Sequence, residues 1–294
     1  MSRPALLGIS RMLINTLLTA AAAAFIGLYG LSTLLHVVQT LGYKSKVWWM
    51  LVFVAGGIME ILGWVGRLQS SFDVTKPTPY LMQIITLIIA PAWFSAGCYA
   101  VTGALVRLIV ASEILLASET VLKIHRIGRQ GSRLSARAYT ILFVACDCIS
   151  IALQGVGGAT AGKEADRGQS PEKGRAIMLA GILFQLLTMC LFLFLSIQFY
   201  RRRWRDLDRH RRKLVWGTMF ASLCIIARGI FRTAELGEGW KGFLFVHEIF
   251  TIDLDGFPIV LCMLAFNFVH PGMTLDIEEV SSGETVEKKE ANVA

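Results

Sequence analysis

Long apolar stretches constrain the fold of this chain more than any other feature. A transmembrane helix needs about 20 consecutive, mainly apolar residues to cross the hydrocarbon core of a bilayer. The first such stretch runs from Met12 to about Gln39 and exceeds the apolar region of a secretory signal peptide, so we interpret it as a retained transmembrane helix. With 54% hydrophobic and 17% charged residues, the chain is also too apolar for a water-soluble domain of 294 residues. We therefore predict an all-α integral membrane protein.

Six further apolar stretches follow, which gives seven predicted transmembrane helices and places the two termini on opposite sides of the membrane. The approximate limits of these six are Val47 to Gly66, Tyr80 to Ile109, Ala138 to Thr160, Ile177 to Tyr200, Leu214 to Thr233 and Phe243 to Val269. The predicted organisation is a short external N-terminal tail (1–11), a seven-helix membrane domain (12–272) and a disordered, acidic cytoplasmic tail (273–294).

The distribution of lysine and arginine predicts the orientation in the membrane. Cytoplasmic loops of membrane proteins carry an excess of basic residues. In this chain the first, third and fifth connections are the more basic ones, and the densest cluster runs from Arg201 to Lys213. We therefore predict an external N-terminus and a cytoplasmic C-terminus. The net charge of +8 follows mostly from this asymmetry, so we expect the basic loops to attract anionic lipid, and nucleic-acid binding is disfavoured.

Charged residues inside two of the predicted spans form the first candidate site. Arg228, Arg232 and Glu235 are spaced four and three residues apart, so on a helix they share one face. Glu248 and Asp255 share a face of the last span in the same way, across a short glycine-rich turn. An ionisable side chain at the centre of a bilayer costs about 2.5 to 3.5 kcal/mol or more, and such residues usually pair or line a wet cavity. We therefore interpret these five residues as candidates for function.

Two more acidic residues lie inside predicted spans. Glu60 is near the middle of the second span, where we expect it either to line a cavity or to pair with an arginine. Asp147 is followed seven residues later by Gln154 on the same face of the fourth span, an arrangement typical of a protonatable site or a headgroup contact. The alternative is that Asp147 pairs permanently with Arg228 or Arg232.

The third span carries polar residues and a proline. Gln83 and Tyr99 are further candidates for contact with a ligand. Pro91 lacks a backbone N–H, so we expect it to free a carbonyl group near mid-span and to kink the helix. The residues 110–124 keep a helical apolar spacing and either extend this span or lie along the membrane surface.

Several other motifs do not predict a cofactor or a metal. Residues 157–164 nearly match a phosphate-binding loop, but Glu164 replaces the required hydroxyl and no strand precedes it. The histidines do not obviously converge at one depth, which disfavours an embedded zinc hydrolase. No C-x-x-C pair is present, and all cysteines fall inside predicted spans, where we interpret them as small core residues; the six are Cys98, Cys146, Cys148, Cys190, Cys224 and Cys262. We predict no cofactor and no metal.

A set of residues in a fixed order along most of the chain resembles a known family. The set comprises Glu60, Gly63 and Arg67; Tyr80, Gln83, Ala90, Pro91, Tyr99 and Arg107; Phe143, Asp147, Ser150, Gln154, Gly157 and Gly158; Gly174, Gly181 and Gln185; Arg228, Phe231, Arg232, Glu235, Gly239, Glu248 and Asp255; and Asn267, His270, Pro271 and Gly272. Together these residues resemble the fungal RTA1-like family, also described as lipid-translocating exporters. The chain departs from the family at Ile252, where a tyrosine is usual, and in the length of its third connection.

The resemblance implies seven transmembrane helices, an external N-terminus, a fungal membrane and a role in export or resistance involving amphiphiles. We therefore expect a transporter of the plasma membrane, and not an enzyme, that translocates a sphingoid base, a phospholipid or a similar amphiphile. The candidate substrate-binding residues are Glu60, Tyr99, Asp147, Gln154, Gln185, Arg228, Arg232, Glu235, Glu248 and Asp255. Two alternatives stay open: a seven-helix receptor or sensor that acts through cytoplasmic partners, and an intramembrane enzyme acting on a lipid or a porphyrin.

Overall fold

The computed structural model describes residues 3–43, 47–72, 77–116, 136–239, 242–243 and 252–273, and these residues are organised as helices. The seven principal helices are α1 (Arg3–Gly42), α2 (Leu51–Phe72), α3 (Pro77–Leu116), α4 (Ala136–Asp166), α5 (Glu172–Arg203), α6 (Arg209–Glu238) and α7 (Phe257–Phe268). Short 3-10 turns precede α2 and follow α5, and a π-helix (Ile252–Gly256) leads into α7.

Among the described residues, seven helical segments are long and apolar enough to cross a membrane, which confirms the predicted all-α fold with seven spans. The last of them is Leu254–Met273. The first part of the predicted seventh span, residues 244–251, lies outside the described residues, as does most of the acidic tail. Helix α3 continues to Leu116, so the residues after Ile109 begin as an extension of the third span.

Consecutive helices pack side by side, and α1 contacts α7 to close the arrangement. Helix α3 is the central element because it packs against α2, α4 and α6 and also contacts α5 and α7. Large apolar side chains such as Leu34 of α1, Ile141 of α4 and Leu187 of α5 are exposed on the outside, as the lipid environment requires. Polar and charged side chains are buried between the helices, which gives the bundle a polar interior.

Glycines bring two pairs of helices into close contact. A Cβ atom on Gly63 of α2 would lie 2.5 Å from the side chain of Leu87 of α3. A Cβ atom on Gly174 of α5 would collide with the backbone nitrogen of Ala161 of α4. Small residues permit this approach of helix backbones in membrane proteins. The glycines therefore fix α2 against α3 and α4 against α5.

The cysteine interpretation is partly wrong. Cys98, Cys224 and Cys262 are buried, but Cys148 and Cys190 are exposed on the outside of the bundle. A cysteine is apolar enough to face lipid, so its type alone does not reveal which side of a membrane helix it occupies. The near match to a phosphate-binding loop lies within helix α4, without the preceding strand and loop that such a site needs.

Candidate functional site

Arg228 of α6 lies at the centre of the first polar cluster and has only 2% of its surface exposed. Its Nε donates to Oδ1 of Asp255 at 2.6 Å, and its Nη1 donates to Oε1 of Glu60 at 3.2 Å. Its Nη2 donates to the backbone carbonyl of Leu87 at 2.8 Å. One guanidinium therefore joins α2, α3, α6 and the segment before α7.

Arg232 lies one helical turn after Arg228 and completes the cluster. Its Nε and Nη2 donate to the two carboxylate oxygens of Asp255 at 2.8 and 2.5 Å, which is the bidentate geometry that favours arginine over lysine. Its Nη1 donates to Oε2 of Glu235 at 3.0 Å. Asp255, with 1% of its surface exposed, thus accepts from both arginines. The sequence prediction that these arginines face acidic groups of the last span is confirmed for Asp255.

The carbonyl of Leu87 is available to Arg228 because of a proline. In a regular helix the N–H of residue 91 would bond the carbonyl of residue 87, but Pro91 has no N–H. The freed carbonyl accepts from the guanidinium of Arg228 instead. This observation confirms the prediction that Pro91 frees a carbonyl near mid-span and identifies the group that uses it.

Backbone irregularity also positions Asp255, which belongs to the π-helix before α7. Such single-turn widenings of a helix occur frequently at functional sites. The hydroxyl of Tyr29 of α1 donates to the carbonyl of Gly256 at 2.7 Å, so the widened turn is also held from α1. A Cβ atom on Gly256 would lie 2.5 Å from the ring of Trp64, so only glycine lets this turn approach α2.

We call the residues Glu60, Arg228, Arg232, Glu235 and Asp255 the arginine cluster. It contains one more carboxylate than guanidinium, and Arg67 of α2 also exerts an electrostatic attraction on Glu235. Removing one member of a buried ion pair typically costs 3 to 5 kcal/mol, about the scale expected for any member here. One oxygen of Glu60, Oε2, has no hydrogen-bond partner among the described residues. The guanidinium groups of both arginines, in contrast, are bonded through all three nitrogen atoms.

A second polar region lies between α3, α4 and α5 and is built around Asp147. This aspartate has 3% of its surface exposed, and neither carboxylate oxygen has a hydrogen-bond partner among the described residues. The side chain of Tyr99 of α3 lies beside it, and the hydroxyl of Tyr99 is also without a partner of acceptable geometry. Rings of Phe143 and Phe192 flank Tyr99, with centroids 5.2 and 4.6 Å from the tyrosine ring.

The polar residues that follow Asp147 on α4 connect α4 to α5. Ser150 donates its hydroxyl to the carbonyl of Gly181 at 2.6 Å. Gln154 donates through Nε2 to Ser150 at 2.9 Å and to Oε1 of Gln185 at 3.1 Å. Gln154 and Gln185 therefore bond each other across the helix pair, while Nε2 of Gln185 is buried without a partner among the described residues.

The structure thus divides the predicted site residues between two regions. Glu60, Arg228, Arg232, Glu235 and Asp255 form the arginine cluster, whereas Tyr99, Asp147, Gln154 and Gln185 lie between α3, α4 and α5. Glu248 lies outside the described residues. The alternative in which Asp147 pairs with Arg228 or Arg232 is wrong, because both arginines are engaged by other groups.

Sequence reasoning missed the contributions of Leu87 and Tyr29. Leu87 contributes its backbone carbonyl, which accepts from Arg228, and Tyr29 donates its hydroxyl to the backbone carbonyl of Gly256.

The expectation that the histidines do not converge is incomplete, since the ring centroids of His36 and His270 lie 6.3 Å apart. In the part of the chain that the structure describes, no three His, Cys, Asp or Glu side chains form a group suited to a metal ion.

Comparison with known proteins identifies the family. A family model described as RTA1 like protein matches residues 53–127 and 120–278, which together are most of the chain. The chain belongs to the RTA1-like family. No solved structure matches it.

Among the RTA1-like relatives are three proteins of Saccharomyces cerevisiae. The sphingoid long-chain base transporter RSB1 is 27% identical over 284 residues, covering 83% of this chain and 69% of the relative. Protoporphyrin uptake protein 1 is 29% identical over 221 residues, covering 73% of this chain and 66% of the relative. Protein RTM1 is 29% identical over 217 residues, covering 72% and 63% of the two chains. The first two names refer to movement of amphiphilic molecules.

Proposed function

We propose that this RTA1-like protein is a membrane transporter that translocates an amphiphile by passing its polar headgroup along helix α3. The observation that carries the proposal is that the bundle buries two separate polar regions, both of which touch α3. The carbonyl of Leu87 accepts from Arg228 of the arginine cluster, and Tyr99 lies in the Asp147 region. Twelve residues separate them, which corresponds to about 18 Å along a helix. A headgroup therefore has polar partners at two depths, while its acyl chain stays in lipid between helices.

The predicted orientation would place the two polar regions in different halves of the membrane. With an external N-terminus, α3 runs inward, so the arginine cluster lies in the external half and Asp147 in the cytoplasmic half. The basic segment from Arg201 to Lys213 then faces the cytoplasm, where it would contact anionic lipid, as predicted from its charge. The relatives named for a sphingoid base and for protoporphyrin support an amphiphilic substrate. A location in the plasma membrane is part of the proposal.

The first test is transport by the purified protein alone in liposomes. Sphingoid base, phospholipid and porphyrin probes are compared, each with and without a pH gradient, because a passive and a proton-coupled process both fit buried carboxylates. We expect one probe class to move, and its movement to be lost when Glu248 or Asp255 is replaced by its amide while the protein stays folded. Folded protein that moves no probe would instead indicate a receptor or sensor, and a chemically changed probe would indicate an enzyme.

Asp166→Asn is the matched control for these variants. Asp166 lies at the end of α4, outside both polar regions, and its side chain is exposed. The substitution makes the same chemical change as Asp255→Asn. Because it removes no buried contact, transport should equal that of the unaltered protein. Loss of transport in both variants would show that the assay reports on general damage and not on the site.

A further inference from the structure

Asp147 differs from every other buried carboxylate in the described part of the chain. Glu60, Glu235 and Asp255 each pair with an arginine. Among the described residues Asp147 makes no salt bridge, and neither of its buried oxygens has a hydrogen bond of acceptable geometry. A buried polar group that lacks a partner costs about 1 to 3 kcal/mol, and more when it is charged. Such a group in a folded protein calls for an explanation, and a bound ligand is one of the few available.

The surroundings of Asp147 indicate the charge of that ligand. The hydroxyl of Tyr99 lies beside both Asp147 and Ser95, and in the described part of the chain neither the Tyr99 nor the Ser95 hydroxyl makes a hydrogen bond of acceptable geometry. Three unpaired oxygen-bearing groups can accept the three N–H donors of a primary ammonium. Next to them the rings of Tyr99, Phe143 and Phe192 form a packed aromatic cluster, and aromatic faces attract alkylammonium groups.

Other ligand classes fit less well. An anionic headgroup would be repelled by the carboxylate of Asp147, which pairs with no cationic side chain in the part of the chain that the structure describes. A divalent cation such as calcium takes six to eight oxygen ligands, usually from several carboxylates, and the described residues supply one carboxylate here. A single positive charge that carries N–H donors matches both the charge and the number of acceptors.

We propose that Asp147, with Tyr99 and Ser95, binds the primary ammonium group of a cationic amphiphile and thereby selects substrates by positive charge. The proposal rests on the transporter function above and assigns the selection of substrates by charge to Asp147. The arginine cluster, in which every guanidinium nitrogen already donates to another residue, also holds α2, α3, α6 and the segment before α7 together. The Asp147 region is covered in this structure, so the ammonium group enters only when α3 separates from the α4–α5 pair.

The test is equilibrium binding to the full-length protein in detergent or nanodiscs, which requires no transport. The probes are a long-chain primary alkylamine, its N-acetylated neutral analogue and the fatty acid of the same length. We expect the amine to bind the unaltered protein at least about tenfold more tightly than either of the others. In Asp147→Asn its affinity should fall about 30-fold or more, as expected when one partner of a buried charge pair is removed.

Two control variants separate charge recognition from folding. Asp166→Asn should bind the amine like the unaltered protein, and Asp147→Glu should keep the preference for the amine over its acetylated analogue. Equal binding of amine and acetylated analogue, or unchanged amine binding by Asp147→Asn, would overturn the proposal. So would a loss of pH-gradient-driven transport in Asp147→Asn with amine binding intact, because that result assigns a proton to Asp147.

The binding experiment and the transport experiment can fail independently of each other. Selective, Asp147-dependent binding without movement of any probe would uphold the charge selection and refute the transporter function. Movement of a probe without Asp147-dependent binding would uphold the transporter function and refute the charge selection by Asp147. The two proposals are therefore distinguishable with the same purified protein.

Discussion

Replacing Asp255 by asparagine tests whether the arginine cluster holds the bundle together. Asp255 accepts three hydrogen bonds from two arginines, at 2.6, 2.8 and 2.5 Å. Asparagine keeps one acceptor oxygen but places an NH₂ group against a guanidinium, and it removes the negative charge from between Arg228 and Arg232. The buried guanidinium of Arg228 and the partly buried one of Arg232 then face each other with less compensation.

The expected magnitude follows from these contacts. Breaking a buried ion pair by removing one partner typically costs about 3 to 5 kcal/mol. A loss of 1 kcal/mol lowers the melting temperature of a domain of 150 to 250 residues by about 2 to 4 °C, so we expect a decrease on the order of 10 °C. The assay is the apparent melting temperature of the purified protein in detergent, measured side by side with Asp166→Asn at one heating rate.

For Asp147→Asn we do not expect the melting temperature to fall. Because the carboxylate of Asp147 has no partner among the described residues, neutralising it removes a buried charge without breaking a bond. The melting temperature should stay the same or rise.

An Asp255→Asn protein that melts within about 1 °C of the unaltered one would refute the assignment of a structural role to the arginine cluster.

Three further predictions concern backbone packing and orientation. Pro91→Ala restores an N–H that competes with Arg228 for the carbonyl of Leu87, so the melting temperature should fall although alanine favours helices; a rise would contradict the role given to the proline. Gly157→Ala should destabilise the protein by about 1 to 3 kcal/mol, because its Cβ would lie 2.5 Å from the backbone nitrogen of Met178, whereas Gly155→Ala has open space and should be neutral in the same melting experiment. An epitope at the N-terminus should bind antibody on intact cells and one at the C-terminus only after permeabilisation; the reverse pattern would refute the predicted orientation.

The seven spans were predictable because the bilayer imposes the same demand on each of them. Backbone N–H and C=O groups in lipid must find partners within the protein, which a helix provides for nearly all of them, and about 20 apolar residues must cover the helix. Both requirements are local, so hydropathy reveals them without knowledge of neighbouring helices. The shared face of Arg228, Arg232 and Glu235 was predictable for the same reason, since it depends only on helical periodicity.

The pairing within the site was not predictable, because it depends on how distant helices meet. Glu60 and Arg228 are 168 residues apart in the chain. The sequence allowed Asp147 as a partner for the same arginine, and only the packing of α3 between α2 and α4 excludes that pair. The carbonyl of Leu87 and the π-helix at Asp255 are backbone features, and of these only the proline that frees the carbonyl has a signal in the sequence.

Asp255 and Asp147 differ in how strongly they tie neighbouring helices together. Asp255 is bound to two arginines of α6, and Glu60 and Leu87 extend these bonds to α2 and α3, so that side of the bundle resists separation. No ion pair among the described residues joins α3 to α4 at Asp147, where the contacts of the Tyr99 ring are with aromatic rings. Opening between α3 and α4 therefore breaks no ion pair there, whereas opening at the arginine cluster breaks several. A headgroup that reaches Asp147 would thus enter where the helices separate at the lower free-energy cost.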